Sequence, residues 1–373
     1  MSNPAIRLVE AYSFRYPLAT PVVTSFGRMQ DRPAVFIRLE DEDGVVGWGE
    51  VWCNFPSFGA EHRSRIVTEL LAPVIVGRDP GAPGKLFRRL RDAMSVLALQ
   101  SGEPGPVAQA IAGIDTAHWD LAARRAGLPL WRMLGGESPT IPVYASGINP
   151  IGSGETARRA LQAGHRAFKL KIGFGLERDR DNLRALRSEI GALFLAADAN
   201  QAWTPDEARA VIPALREFGL GWLEEPIRAD LPWDAWAPLV AAGAPPLAGG
   251  ENLASEAAFE AALDADVLGV IQPDVAKWGG ISLCASVARN AMAAGRTYCP
   301  HYLGGGVGLL ASAHLLAGVG GGGMLEVDIN PNALRDGCCG PVAAVVDGRI
   351  TLSDEPGLGT EPDLSAWTEW RTR

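Results

Sequence analysis

The sequence predicts a mixed α/β molecule: a (β/α)8 barrel of the TIM type, with an α+β capping domain built from the N-terminal region and the C-terminal tail. Three observations lead there. Residues 1–52 alternate like strands; residues from about 61 to 136 turn helical; from residue 143 onward short apolar strands alternate with amphipathic helices. In that last region Lys171, Asp198, Glu224, Glu251, Asp274, His301 and Glu326 each stand at or near a strand end, separated by 27, 26, 27, 23, 27 and 25 residues. That is one βα unit per step. In a barrel the C-terminal strand ends open on a single mouth, so seven ionisable groups far apart in sequence would meet there.

The opening arms "IRLVEAYSFRYPL" and "AVFIRLEDEDGVVGWGEV" read as an antiparallel meander, with "DEDG" as a tight turn. A helical subdomain follows, carried by "HRSRIVTELLAPVIVG", "KLFRRLRDAMSVLA" and "PVAQAIAGIDTAHWDLAARRAG". The barrel strands are then expected at 143–147, 167–173, 193–200, 220–226, 246–252, 267–274, 297–301 and 323–328. With the barrel complete at Glu326, the tail from Pro341 reads as a short hairpin and a Gly/Pro-rich coil returning to the meander. The expected division is therefore 1–136 for the cap, 137–340 for the barrel, and 341–373 for the returning segment.

Composition narrows the function classes. A chain of 373 residues with formal net charge −9 and a pI near 5.2 repels nucleic acid and anionic membrane, and no local basic patch opposes this. No run of about 18 apolar residues and no export or transit signal is visible, which points to the cytoplasm. The five cysteines (53, 284, 299, 338 and 339) lack metal or redox spacing and read as reduced packing residues.

The chemistry starts from "AFKLKIG". Lys169 and Lys171 are two apart in an apolar strand and so share a face. The outer face of a barrel strand is covered by helices, which leaves the lumen as the place for two ammonium groups. There they face Asp198, Glu224 and Glu251, three carboxylates on consecutive strands that repel one another unless a cation intervenes. All-oxygen donors without Cys or His select a hard divalent ion, Mg²⁺ first among them. Asp274 and His301, on the next two strands, are placed for a carboxylate to orient an imidazole and raise its basicity. His62, His118, His165 and His314 have no such strand-end partner and read as packing residues. Together these parts suit removal of an α-proton from a carboxylate substrate, with a desolvated lysine as base.

At this point the chain resembles the mandelate racemase subgroup of the enolase superfamily. The elements that carry the resemblance are "KLK" (169–171), "DAN" (198–200), "WLEEP" (222–226), "GGEN" (249–252), "QPD" (272–274), "PH" (300–301) and "LEVD" (325–328), with "GIDTAHWDLAARRAGLPLWRMLGG" similar to the joint between lid and barrel. The resemblance implies that Asp198, Glu224 and Glu251 bind Mg²⁺; periodicity alone does not choose between Glu224 and Glu225. It further implies Lys171 as base on one substrate face, Lys169 beside it holding the carboxylate, and His301 with Asp274 as acid or base on the other face. Glu326 would hydrogen-bond the carboxylate oxygen that gains charge in an enediolate. Substrate identity is expected in two lid loops, about Thr24–Arg32 and Trp52–Glu61, where Phe26, Arg28, Trp52, Asn54, Phe55 and Phe58 stand, with Asn200 also facing the substrate.

One stretch departs from the racemase itself. "HYLGGGVGLLASAHLLAGVGGGGMLE" is longer and glycine-rich, similar to the acid-sugar dehydratases of the subgroup; it reads as a flexible loop or as an anion-binding turn at a helix N-terminus. The resemblance thus favours dehydration of a sugar acid, an aldonate or aldarate, to a 2-keto-3-deoxy acid. Racemisation or epimerisation of a 2-hydroxy acid is the alternative. A hydrolase barrel would use His-rich metal ligands, and a scaffold has no need of both Lys171 and the Asp274–His301 pair. The partners implied are a small carboxylate substrate and further copies of the chain in a homo-oligomer, an octamer being one such assembly.

Overall fold

The computed structural model describes residues 4–23 and 27–372; Thr24 and Phe26 of the first expected lid loop lie outside the described residues. Strands β1 (Ile6–Val23), β2 (Arg28–Asp41) and β3 (Val46–Val51) form an antiparallel sheet in that order. The "DEDG" turn joins β2 to β3 as the sequence predicts. Asp41 Oδ1 accepts the Asp43 and Val45 amides, both at 3.0 Å, and Gly44 takes the left-handed conformation (φ 81°) that a glycine tolerates. What the sequence assigns to the first lid loop is largely the start of β2.

A run of three short helices (Gly59–Arg65, Ile66–Leu71, Ala72–Ile75) and two long ones (Lys85–Ser101, Pro104–Arg125) covers this sheet. The helix Pro104–Arg125 lies directly on β3. Gly47 and Gly49, two apart on one face, permit it: a Cβ on either would fall 2.2 Å from the Ala117 oxygen or 2.1 Å from the Gly113 oxygen.

Eight parallel strands then run around a lumen. They are β4 (Thr140–Ile148), β5 (Ala167–Lys171), β6 (Phe194–Asp198), β7 (Leu223–Glu224), β8 (Leu247–Gly249), β9 (Leu268–Ile271), β10 (Thr297–Tyr298) and β11 (Leu325–Asp328), hydrogen-bonded in the order β10-β9-β8-β7-β6-β5-β4-β11. The two ends of the path approach each other where Gly323 passes Tyr298; a Cβ there would lie 1.7 Å from the Tyr298 oxygen. Each strand is the one the sequence predicts.

Alternation along the strands sorts the barrel into layers. Phe168, Leu170, Leu195, Ala197, Leu223 and Leu247 point outward and pack beneath the helices. Tyr144, Ala167, Ala196, Trp222, Ala248, Val270 and Cys299 point inward and fill the lower lumen. Above that apolar plug comes the ionisable layer.

The tail does more than return to the meander. It first adds β12 (Arg349–Thr351) antiparallel to the opening residues of β4, at Thr140–Pro142, and this pairing is why β4 begins earlier than expected. Only then does Trp367 pack on Phe14 and Phe36, with ring centroids 5.8 and 5.5 Å away, and Trp370 on Tyr16 at 4.8 Å. Among the described residues no helix is long and apolar enough to cross a membrane.

Candidate active site at the barrel mouth

Strand register does the first positioning. Lys171 on β5 pairs with Asp198 on β6, and Asp198 with Glu224 on β7, so three consecutive strands present charged side chains at one level. Glu251, Asp274 and His301 follow just beyond β8, β9 and β10, and Glu326 is the second residue of β11. The backbone is bent to make this rim. Asn200, Gln201 and Glu225 have φ of 44°, 63° and 37°, left-handed values that cost a non-glycine residue about 1–2 kcal/mol each and gather at functional sites.

Three lysines are matched to the three carboxylates. Lys169, only 1% exposed, places Nζ 2.8 Å from both Glu224 oxygens and 2.8 Å from Glu326 Oε1. Lys171 Nζ lies 2.5 Å from Asp198 Oδ2, and Lys277 Nζ 3.0 Å from Glu251 Oε2. Burial works against both Lys169 and Lys171 being charged, but the carboxylates outweigh it, Glu224 foremost for Lys169 and Asp198 for Lys171, and hold both above the ordinary lysine value. Burial, then Asp198, pushes Glu224 up to about 7; burial, then Glu251, pushes Glu225 up to about 8.

The mouth therefore gathers six carboxyl groups (Asp198, Glu224, Glu225, Glu251, Asp274, Glu326) against four bases (Lys169, Lys171, Lys277, His301). As the side chains stand, each expected metal ligand is turned to a lysine, and among the described residues no three acids, histidines or cysteines converge as a metal cage. The donor chemistry nonetheless fits Mg²⁺: all-oxygen, buried, and in excess of the basic groups.

His301 and Asp274 form the expected pair, with Nδ1 2.8 Å from Oδ2. Asp274 Oδ1 accepts the Ala276 and Lys277 amides at 2.8 and 3.1 Å, so this carboxylate is an acceptor throughout and Nδ1 carries the proton toward it. Nε2 is left facing Glu251 Oε2 at 3.4 Å and Glu326 Oε2 at 4.0 Å. Although burial opposes it, Glu251, Glu326 and Asp274 together raise His301 to about 9.

A cavity of about 1240 Å³ opens above these groups, with Lys171, Glu251, Lys277 and His301 in its floor. Of the expected lid and substrate residues, Trp52, Asn54, Phe55 and Asn200 line it. Asn54 donates to the Leu303 oxygen at 2.7 Å, and the Trp52 ring lies 5.0 Å from Lys277 Nζ. Phe58 is 63% exposed, outside the lining. Arg28 is also exposed and outside it, because strand alternation turns Met29 inward in its place.

Sequence reasoning passed over Lys277, Ser146 and Gln272. Ser146 Oγ donates to Glu326 Oε1 at 2.5 Å, and Gln272 Nε2 to Glu224 Oε2 at 2.8 Å. The signal for Ser146 was available: the first barrel strand had no ionisable residue at its end, so its polar residue had to be neutral.

Residues 8–135 match the mandelate racemase / muconate lactonizing enzyme N-terminal domain, and residues 153–366 the enolase C-terminal domain-like family. A D-galactarolactone cycloisomerase from Agrobacterium fabrum is 31% identical over 98% of both chains. A 3,6-anhydro-alpha-L-galactonate cycloisomerase from Streptomyces coelicolor is 34% identical over 96% of this chain and 97% of its own, and an arabinonate dehydratase from Saccharolobus solfataricus is 29% identical over 87% of each. Among solved structures, a mandelate racemase/muconate lactonizing enzyme from Bordetella bronchiseptica RB50 superposes with a TM-score of 0.93 at 52% identity, covering 98% of this chain and 99% of its own. A racemase from Streptomyces coelicolor A3(2) with bound magnesium gives 0.89 at 30%, covering 98% and 100%.

Proposed function

We propose, from the premise that the chain belongs to the mandelate racemase / muconate lactonizing enzyme family of the enolase superfamily, that it removes the α-proton of a sugar acid and expels the oxygen on the adjacent carbon. The form proposed is dehydration of an aldonate or aldarate to a 2-keto-3-deoxy acid. One observation carries this reading: Lys171 and the Asp274-oriented His301 line a single cavity from different strands, with carboxylates suited to a hard cation between them.

Asp198, Glu224 and Glu251 would hold Mg²⁺, which when bound supplies positive charge beside the substrate carboxylate and so favours loss of its α-proton. Lys171, which Asp198 holds charged as placed, would have to leave Asp198 and give up a proton to solvent before its neutral Nζ takes the α-proton. Lys169 turns from Glu326 toward the substrate carboxylate while keeping its contact with Glu224. In dehydration the carbon–oxygen bond on the β-carbon breaks, and His301 Nε2 gives its proton to the departing hydroxyl as Asp274 holds Nδ1. Glu326 is proposed to hydrogen-bond the carboxylate oxygen that gains charge. As placed, Lys169 and His301 overcome its burial and keep it ionised, so that role requires Lys169 to move toward the substrate first.

The leaving oxygen need not become water. A 3,6-anhydro acid carries its ring oxygen on carbon 3, so the same two proton transfers open a ring, and the two cycloisomerase relatives favour that second reading. Epimerisation needs the same groups but no leaving oxygen, and the magnesium-bound racemase relative keeps it as the alternative.

The test is proton NMR in D₂O with Mg²⁺ against mono- and diacid sugars, their lactones and anhydro forms, and simple 2-hydroxy acids. Appearance of 2-keto-3-deoxy signals supports elimination, whereas deuterium at the α-carbon with no elimination moves the activity to epimerisation. Lys171→Ala and His301→Asn are each expected to abolish turnover while Mg²⁺ binding, followed by calorimetry, survives. Wild-type rates in either variant would sink the assignment.

A further inference from the structure

The glycine-rich turn after His301 is held by a carboxyl group, and that group comes from the chain itself. Glu50, near the end of β3 and 2% exposed, reaches from the N-terminal sheet to the start of the helix Gly306–Val319. Its Oε1 accepts the Gly305 amide at 2.5 Å and its Oε2 the Gly308 amide at 2.8 Å, satisfying donors that a helix N-terminus leaves open. A Cβ on Gly305 would stand 2.7 Å from Glu50 Oε1, and one on Gly308 2.3 Å from the Tyr302 hydroxyl. Gly304, Gly305 and Gly308 are therefore glycine because Glu50 and Tyr302 press against the backbone there, and Gly306 because the Arg335 oxygen and Cys338 Sγ do.

The same turn carries one wall of the site. His301 opens it, the Tyr302 amide donates to Glu326 Oε2 at 3.2 Å, and the Leu303 and Gly304 oxygens are held by Asn54 and Asn332 at 2.7 and 2.9 Å. Lys171, by contrast, is fixed by its pairing on β5 and β6 and by Asp198.

We infer that Glu50 is a positioning residue through which the N-terminal domain sets His301 and the Tyr302–Glu326 contact, leaving the Lys171 side of the site independent. In the variant Glu50→Gln one of the two acceptors becomes an amide donor facing the helix N-terminus, and the turn relaxes. This inference rests on the proposed function for its kinetic readout but not for its spectroscopic one.

The experiment compares wild type, E50Q and, as assignment controls, K171A and H301N. With ¹⁵N-histidine labelling, the His301 imidazole Nδ1–H signal, identified by its loss in H301N, is expected to shift in E50Q. In D₂O, α-proton exchange in the two C2 epimers of the acid is divided between Lys171 and His301 by the control variants. E50Q is expected to keep the Lys171-dependent exchange within about two-fold, and to lose at least ten-fold in His301-dependent exchange and in kcat, with KM little changed. An unshifted His301 signal, or equal loss on both faces, overturns the inference. If E50Q does not fold, Gly305→Ala, which presses the turn from the other side with Glu50 intact, is expected to give the same one-sided loss, and a uniform loss there overturns it equally. If K171A and H301N fail to separate two exchanges, His301 does not exchange the α-proton, and the His301 signal with the kcat of E50Q decides the role of Glu50; if neither variant loses turnover, the proposed function has failed and the His301 signal alone decides it.

Discussion

Asp274 is the residue on which the direction of proton transfer at His301 depends. Its Oδ2 fixes the proton on Nδ1 while Oδ1 is held by the Ala276 and Lys277 amides, so the carboxylate cannot follow the ring if the ring moves. Asp274→Asn offers an amide that can donate to Nδ1 and stabilise the neutral tautomer protonated only on Nε2, a ring without the positive charge that makes Nε2–H a usable acid. The expected result is a fall in kcat of roughly 10²–10⁴-fold, the range general acid–base catalysis contributes, with Mg²⁺ affinity unchanged. A kcat within three-fold of wild type would remove the dyad from the mechanism. That Asp274 and His301 were readable from sequence, whereas Lys277 was not, has a physical cause. An ionisable residue at the end of a buried strand is costly and so conspicuous, but a lysine in a turn looks like any solvated lysine. Only the turn that places the Lys277 amide on Asp274 brings its side chain back over Glu251 and beneath Trp52. Arg28 stands outside the cavity lining for a related reason: which of two neighbours on a strand faces the cavity is a question of phase, and the first residues of β2 carry no apolar pattern to fix it.

At the scale of elements, each barrel strand was legible because buried parallel strands read as short apolar runs between helices. The pairing of β12 with β4 was not, since three residues, "RIT", carry no periodicity and the partner strand already had parallel neighbours in view. The contact of the helix Pro104–Arg125 with β3 was equally silent in the sequence, where Gly47 and Gly49 look like turn residues. In the fold they let the helix backbone approach within Cβ distance of the strand. Gly49→Ala must push that helix outward, because a Cβ 2.1 Å from the Gly113 oxygen has only backbone to displace. Overpacking of this kind destabilises by about 1–3 kcal/mol. Urea unfolding of the variant is expected to show a lower midpoint with an unchanged slope, and equal midpoints would mean the seam is softer than its geometry.

The whole molecule is held at that helix by two buried carboxyls, and they give its stability a pH dependence. Asp115 Oδ1 and Oδ2 accept the hydroxyl and amide of Ser282, tying the helix to the barrel, and Asp120 accepts the Trp48 and Leu358 amides, tying it to both β3 and the tail. Burial raises Asp115 to about 7 and Asp120 to about 6, with the hydrogen bonds at each, and Arg124 at Asp120, pulling the other way without prevailing. In the unfolded chain each releases its proton near the ordinary value of about 4. Between about pH 4 and 7 the folded state thus binds more protons than the unfolded one, and these groups make stability fall as pH rises through that window. Other carboxylates act in the opposite sense: Arg7 holds Glu40 below its ordinary value and Arg15 does so for Glu61, so the wild-type curve alone mixes the two. Asp115→Asn keeps a neutral side chain able to accept from Ser282 but removes the titration. Unfolding midpoints measured at pH 4.5 and 7.5 are therefore expected to converge or cross: wild type gains relative to D115N at the acid end and loses at the neutral end. If the difference between the two proteins stays constant across the window, Asp115 is not the buried acid its surroundings make it, and the seam between cap and barrel is wetter than the packing around the helix implies.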